Sequence, residues 1–406
     1  MAASGTAAAT VTRWSRTFVA VGVGFFLAWQ VAVAAGLPRA ATVPLGVYGF
    51  VFHVVFGKAY TLVPSYFARE LAVPLAPAIH LPFALLGTLG SVAAGAGRGP
   101  ATVGPVAAIC WFAGVIVFVA AIGWTVRDNP TGRETGTGDT DAHRRRVDRL
   151  ANAAVPVVVA YLLAGSALEM ARALGLEPTI APAAGPATTH LFAAGTAALL
   201  VFAIGFRLLP RLLVADVRPA LAAVVLTGGG VGPVLLAVDF RGGPVFSLGA
   251  GLEAVALVGF AAAVTDLSRQ SDRDRVGSRA LLGAAGCAGA VALLGLGFAF
   301  ASAGLLPATA YTAHYRLAVG GFLALTIVGV SYRFYPPAVA SASGIGDRTA
   351  RVSIAALLGG LALEVAGLLG SVPALVGPGR WLSVLGAALY AAVCWTIFLE
   401  RSSLTG

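Results

Sequence analysis

Twelve apolar runs, each of roughly the twenty residues that a bilayer-spanning helix needs, occupy almost the whole chain. They lie near 17–36, 43–65, 73–95, 101–126, 151–174, 187–209, 218–239, 245–267, 280–303, 311–333, 350–371 and 379–400. No polar stretch between them is long enough for a separate soluble domain. The 406 residues are 58% hydrophobic and only 11% charged, with mean hydropathy +0.88, values that fit a polytopic membrane protein. The expectation is an all-α integral membrane protein, one membrane domain over 1–406. The long apolar run after Arg13 and Arg16 reads as an uncleaved first span.

A net charge of +10 could suggest nucleic acid, but the arginine positions argue otherwise. With the N-terminus inside, twenty arginines fall in inner segments, including Arg144, Arg145, Arg146 and Arg149. Only Arg39, Arg98, Arg172, Arg241 and Arg380 fall outside. This asymmetry is the positive-inside signal, and with an even number of spans it puts both termini in the cytoplasm, as in a plasma-membrane protein. The charge reports topology, with lipid as the surrounding partner and no nucleic acid. Cys110, Cys287 and Cys394 are solitary and give neither metal spacing nor a disulfide framework.

Polar loops at 127–150 and 268–279 cut the chain into blocks of about 17–126, 151–267 and 280–400. The second helix of each carries a histidine: His53, His190 and His314. His190 and His314 are each followed fifteen residues on by glycine (Gly205, Gly329), then Arg and Pro; His53 is followed sooner by Gly57 and Pro64. We read a degenerate threefold repeat of four helices.

An imidazole in hydrocarbon is costly, and its usual justification is a metal, a proton path or a buried partner. Gly321 returns to the face of His314 two turns on, and Gly46, Gly49 and Gly57 share a face with His53. Such glycines clear room for a flat ligand such as a porphyrin, or for a neighbouring helix. His53 with His314 would give a bis-imidazole b-type heme, saturating the iron for electron transfer.

The stretch Tyr311–Pro337 also resembles the tenth span of the heme-copper oxidase catalytic subunit, through His314-Tyr315, Gly320, Gly329, Tyr332, Phe334 and Pro336. The resemblance implies that His314 is an axial ligand of low-spin heme, in a fold of three groups of four helices. The position of the high-spin heme ligand falls on Thr312. His190 is similar to the sixth-span copper ligand, yet the span after it has no histidine pair, and a lone imidazole is a poor copper site. The resemblance therefore implies a degenerate, NnrS-like relative that binds heme b and lacks the oxygen-reducing centre, with electron transfer or nitric oxide and other small-gas chemistry. His190 is left as a ligand of a second metal or heme, or a plain buried histidine.

Arg39 and Arg380 lie in outer loops, where heme carboxylates point in that family; snorkelling to the interface is the other reading. His80 reads as structural or as part of a proton path, and His143 as a solvated loop residue. Lys58, the sole lysine, reads as snorkelling. Glu169, Glu253 and Glu364 lie in apolar runs as proton relays or packing residues. A proton-coupled transporter and a non-catalytic subunit of a respiratory complex, with a redox partner protein, are the alternatives.

Overall fold

The computed structural model describes residues 2–176, 184–240, 243–272, 275–301 and 304–403; Arg241 and Arg273 lie outside them. Among the described residues all regular structure is helical. Twelve helices are long and apolar enough to cross a membrane, in the places the sequence assigns. They are α1 (Thr6–Ala34), α2 (Arg39–Tyr66), α3 (Ala76–Gly95), α4 (Val103–Val126), α5 (Asp139–Ala173) and α6 (Gly185–Leu213). Then follow α7 (Pro219–Val238), α8 (Pro244–Gln270), α9 (Val276–Phe300), α10 (Ala310–Phe334), α11 (Asp347–Leu369) and α12 (Pro373–Arg401). The chain is therefore a multi-pass membrane protein by length and composition.

Two boundaries differ from expectation. The helix of α1 begins near Ala2, well before residue 17, and α5 reaches back into the expected loop 127–150. The second difference has a clear cause. Asp148 is fully buried, because Arg211 bonds it at 2.7 Å and Arg207 Nε lies 3.5 Å away. Those partners keep a charged stretch folded onto α6 instead of leaving it in water.

Three helices are set apart by burial. In their most apolar stretches α2, α6 and α10 are 83%, 72% and 78% buried, against 28–56% for the other nine. Around them the contacts run α1, α3, α4, α5, α7, α8, α9, α11, α12 and back to α1. Side chains that face lipid and side chains buried between helices are both apolar, so hydropathy alone cannot distinguish these two sets.

Each central helix also contains eight residues of π-helix: Leu45–Phe52, Leu191–Ala198 and Arg316–Leu323. The three widened segments touch one another. Phe52 precedes Pro64 by twelve residues, Ala198 precedes Pro210 by twelve, and Leu323 precedes Pro336 by thirteen. The proline and the π segment thus set a common register. Runs of i→i+5 bonding are rare in α-helices and occur often at functional sites.

At the end carrying the arginine-rich loops, here the basic end, the central helices are linked in a cycle. Arg207 of α6 donates to the Tyr66 carbonyl of α2 at 2.9 Å. Arg333 of α10 donates to the Leu212 carbonyl of α6 at 3.1 Å. Lys58 of α2 donates to the hydroxyl of Tyr335, just past α10, at 2.7 Å. Above this cycle α2, α6 and α10 enclose a mainly apolar cavity of about 110 Å³, bordered by Lys58, Thr326 and Ser331.

Candidate functional site

The common register separates the three histidines. His190 stands immediately before the π segment of α6 and His314 two residues before that of α10. His53 instead follows the π segment of α2. Counted back from the shared proline, the positions matching His190 and His314 in α2 fall on Pro44 and Thr42, respectively. His53 is about ten residues further along, which at ~1.5 Å per residue is roughly 15 Å deeper. Two metal–imidazole bonds of roughly 2 Å each cannot span that offset, so one iron shared by His53 and His314 does not fit this register.

Local surroundings agree. His53 is wholly buried, its Nδ1 donating to the Tyr48 carbonyl at 2.8 Å and its ring 5.8 and 5.1 Å from those of Phe18 and Phe25. Its Nε2 is buried without a partner. His80, also buried, packs 5.1 Å from the same Phe18 ring and hydrogen bonds Tyr60 at 3.1 Å. The glycines expected to clear room for a flat ligand face helices instead. A Cβ on Gly57 would lie 2.8 Å from Phe18 Cβ and the Ser15 carbonyl of α1, and one on Gly321 would lie 2.6 Å from Cys287 Sγ of α9. Helix packing uses that room.

The remaining site residues converge at the opposite, distal end. His314 and His190 lie within electrostatic reach of each other, and Arg39 within reach of both. His190 Nδ1 donates to the Pro186 carbonyl at 2.9 Å, which leaves Nε2 with its lone pair. The ring packs on Phe240 at 4.8 Å. His314 meets Phe298 edge-on at 5.5 Å, and its Nδ1 is buried with no partner. Two neutral imidazoles with a free ring nitrogen each are a donor set that fits heme iron or a similar metal. Among the described residues no group of three or more His, Cys, Asp or Glu side chains could hold a metal ion.

Arg39 and Arg380 are tied to the same place by a polar cluster. The Arg39 guanidinium lies 5.0 Å from the centre of the Tyr315 ring. Trp29 donates to the Tyr315 hydroxyl at 2.8 Å, and that hydroxyl donates to the Thr42 carbonyl at 3.1 Å. Beneath them Arg316 Nε and Arg380 Nε each donate to one oxygen of Glu364 at 2.8 Å. Arg316 Nη2 donates to Gln30 at 2.8 Å. Glu364 is therefore a counter-ion between α10, α11 and α12. The sequence marks Glu364 as a proton relay or packing residue without choosing between them. The available signal was general: a charge inside an apolar run needs a partner.

Other residues resolve without chemistry. Glu169 pairs with Arg172 at 2.7 Å, and His143 bonds Asp216 in the basic-end loops at 3.1 Å. Cys110, Cys287 and Cys394 are free. No family model matches the chain, and a search of curated proteins finds none that matches it in sequence.

Proposed function

We propose that this is a heme b-binding membrane protein with the architecture of the heme-copper oxidase catalytic subunit, its axial ligands being His190 and His314. The observation that carries the reading is their shared register at the head of the π segments in α6 and α10, with Arg39 in electrostatic reach of both. The threefold, four-helix grouping is supported by the contacts of each central helix. Helix α2 touches α1, α3 and α4; α6 touches α5, α7 and α8; α10 touches α9 and α11. The arginine asymmetry supports a plasma-membrane location with both termini in the cytoplasm.

A bound heme supplies reversible one-electron chemistry at iron. The chain's own residues do the rest. Pro186 accepts the Nδ1 proton of His190 and so fixes its tautomer. Arg39 and Arg380 place guanidinium groups near the distal surface, where a carboxylate of the group can meet them. His190 and His314 together would hold the group without leaving a position for substrate, so the reading favours electron transfer to a partner protein over oxygen or nitric oxide turnover.

A reduced-minus-oxidised spectrum of protein expressed with added heme tests this. The expected result is a b-type α band that disappears in H190A and in H314A and survives in H53A. Wild-type protein with no such band ends the reading; a band lost in H53A overturns the ligand assignment.

One observation favours a second reading, a proton-coupled transporter. Glu253 of α8 is 7% exposed and its Oε1 is buried without a partner. It faces Gly232 of the glycine-rich α7, whose Pro233 leaves the Gly229 carbonyl without its helical donor. Labelling by dicyclohexylcarbodiimide at neutral pH, absent in E253Q, would support this reading, and an unlabelled wild type would remove it.

A further inference from the structure

We propose that the distal cluster binds a small monovalent inorganic anion at Arg316 Nη1. The argument begins with charge. Arg316 and Arg380 share one carboxylate, Glu364, and a guanidinium does not lose its proton in a protein. The side chains of Arg316 and Glu364 are 1% and 0% exposed, and that of Arg380 is 24%. One positive charge in this cluster therefore has no counter-charge among the residues that bond it.

Hydrogen bonding points to the same atom. Arg316 Nε is used by Glu364 and Nη2 by Gln30, while Nη1 is buried with no partner. An unmatched charge and an orphaned donor are each destabilising in a low-dielectric interior. An anion at Nη1 satisfies both at once.

The surroundings set the size and the route. Gly320 faces this atom: a Cβ there would lie 3.8 Å from Nη1 and 3.1 Å from Trp29 Cη2. The space beside the Trp29 ring, over which the guanidinium sits at 4.6 Å, is tight even for one carbon, so a guest is limited to a small ion lying directly against Nη1. Towards the distal surface the cations form a graded row, from exposed Arg39 through Arg380 to buried Arg316. Such a row draws anions inward and offers no matching attraction to cations. The proposal does not depend on heme.

Chloride is the probe. Detergent-solubilised full-length protein is exchanged into gluconate and titrated with chloride while the ³⁵Cl line width is recorded, with nitrate as competitor. The expected result is saturable broadening that nitrate reverses and that R316Q loses. E364Q, which leaves both guanidiniums in place and raises the local charge, is expected to bind chloride roughly tenfold more tightly. It keeps the test sharp if R316Q fails to fold. Broadening that does not saturate in the wild type, persists unchanged in R316Q, or has the same midpoint in E364Q overturns the proposal.

Discussion

Lys58 Nζ donates to the Tyr335 hydroxyl at 2.7 Å, and this bond closes the cycle that joins the basic ends of α2, α10 and α6. The ammonium also lies 4.4 and 4.5 Å from the Phe334 and Tyr335 ring centres, so aromatic faces stabilise it at the rim of the central cavity. Replacing Lys58 with Met keeps most of the stem packing and removes the link. A stability loss of about 1.5–3 kcal/mol is expected, the usual range for hydrogen bonds to charged groups. Thermal unfolding in detergent should show it, with Y335F giving a similar loss and the double variant adding little to either.

The pairing of Asp148 with Arg211 and Arg207 should matter more. Its carboxylate is fully buried, accepts from Arg211 at 2.7 and 3.1 Å, and bonds the Thr137 hydroxyl as well. Removing one member of a buried ion pair costs about 3–5 kcal/mol because the other is left uncompensated. D148N is expected to lower the melting temperature and to expose the 139–150 segment to protease. An unchanged cleavage pattern would count against its role in folding that segment.

Close packing of α9 on α10 gives a prediction without charge. A Cβ on Gly277 would lie 2.2 Å from the Gly329 carbonyl oxygen, a backbone atom that cannot turn aside. G277A must therefore separate the two helices, at a cost of about 1–3 kcal/mol for overpacking. G286A on the same helix, whose added Cβ meets nothing within 4 Å, is expected to be neutral or slightly stabilising by propensity. Equal melting temperatures for the two variants would show that the contact is softer than its geometry.

One pH effect arises outside the membrane-spanning helices. The bond from Arg144 Nε to Asp216 at 2.9 Å holds that carboxyl below its usual range, and His143 at 3.1 Å adds to this. A carboxyl with a depressed folded-state value stabilises the fold above its unfolded value and loses that contribution as pH falls through the folded one. Asp216 is 61% exposed, so the contribution stays under about 1 kcal/mol. D216N should therefore melt slightly below the wild type from pH 8 down to about 5, with the difference closing below about pH 4. A difference that widens on acidification would contradict this.

Part of the site was legible early and part was not. His314, His190 and Arg39 lie within electrostatic reach of one another, and Arg380 shares Glu364 with Arg316, two residues on from His314. Histidine position suggests pairing His314 with His53, whereas the π segments set the two at different depths. The structural markers are the π segment and its proline, and insertion of an i→i+5 stretch leaves no distinctive residue pattern. Gly57 and Gly321 mark places of close approach, but a glycine does not say what approaches. Glu364 and Arg316 found each other across 48 residues, a distance over which spacing arguments have no force.

Hydropathy by itself determined that this chain crosses a membrane twelve times, because a helix must bury its backbone polar groups and present apolar side chains to lipid over a fixed length. Tertiary structure alone decided which three helices stand at the centre, since the lipid-facing and protein-facing sides of a span are equally apolar. It also decided which histidines share a depth and which charges share a counter-ion. Those relations depend on how helices far apart in sequence are set against one another, and that setting comes from packing.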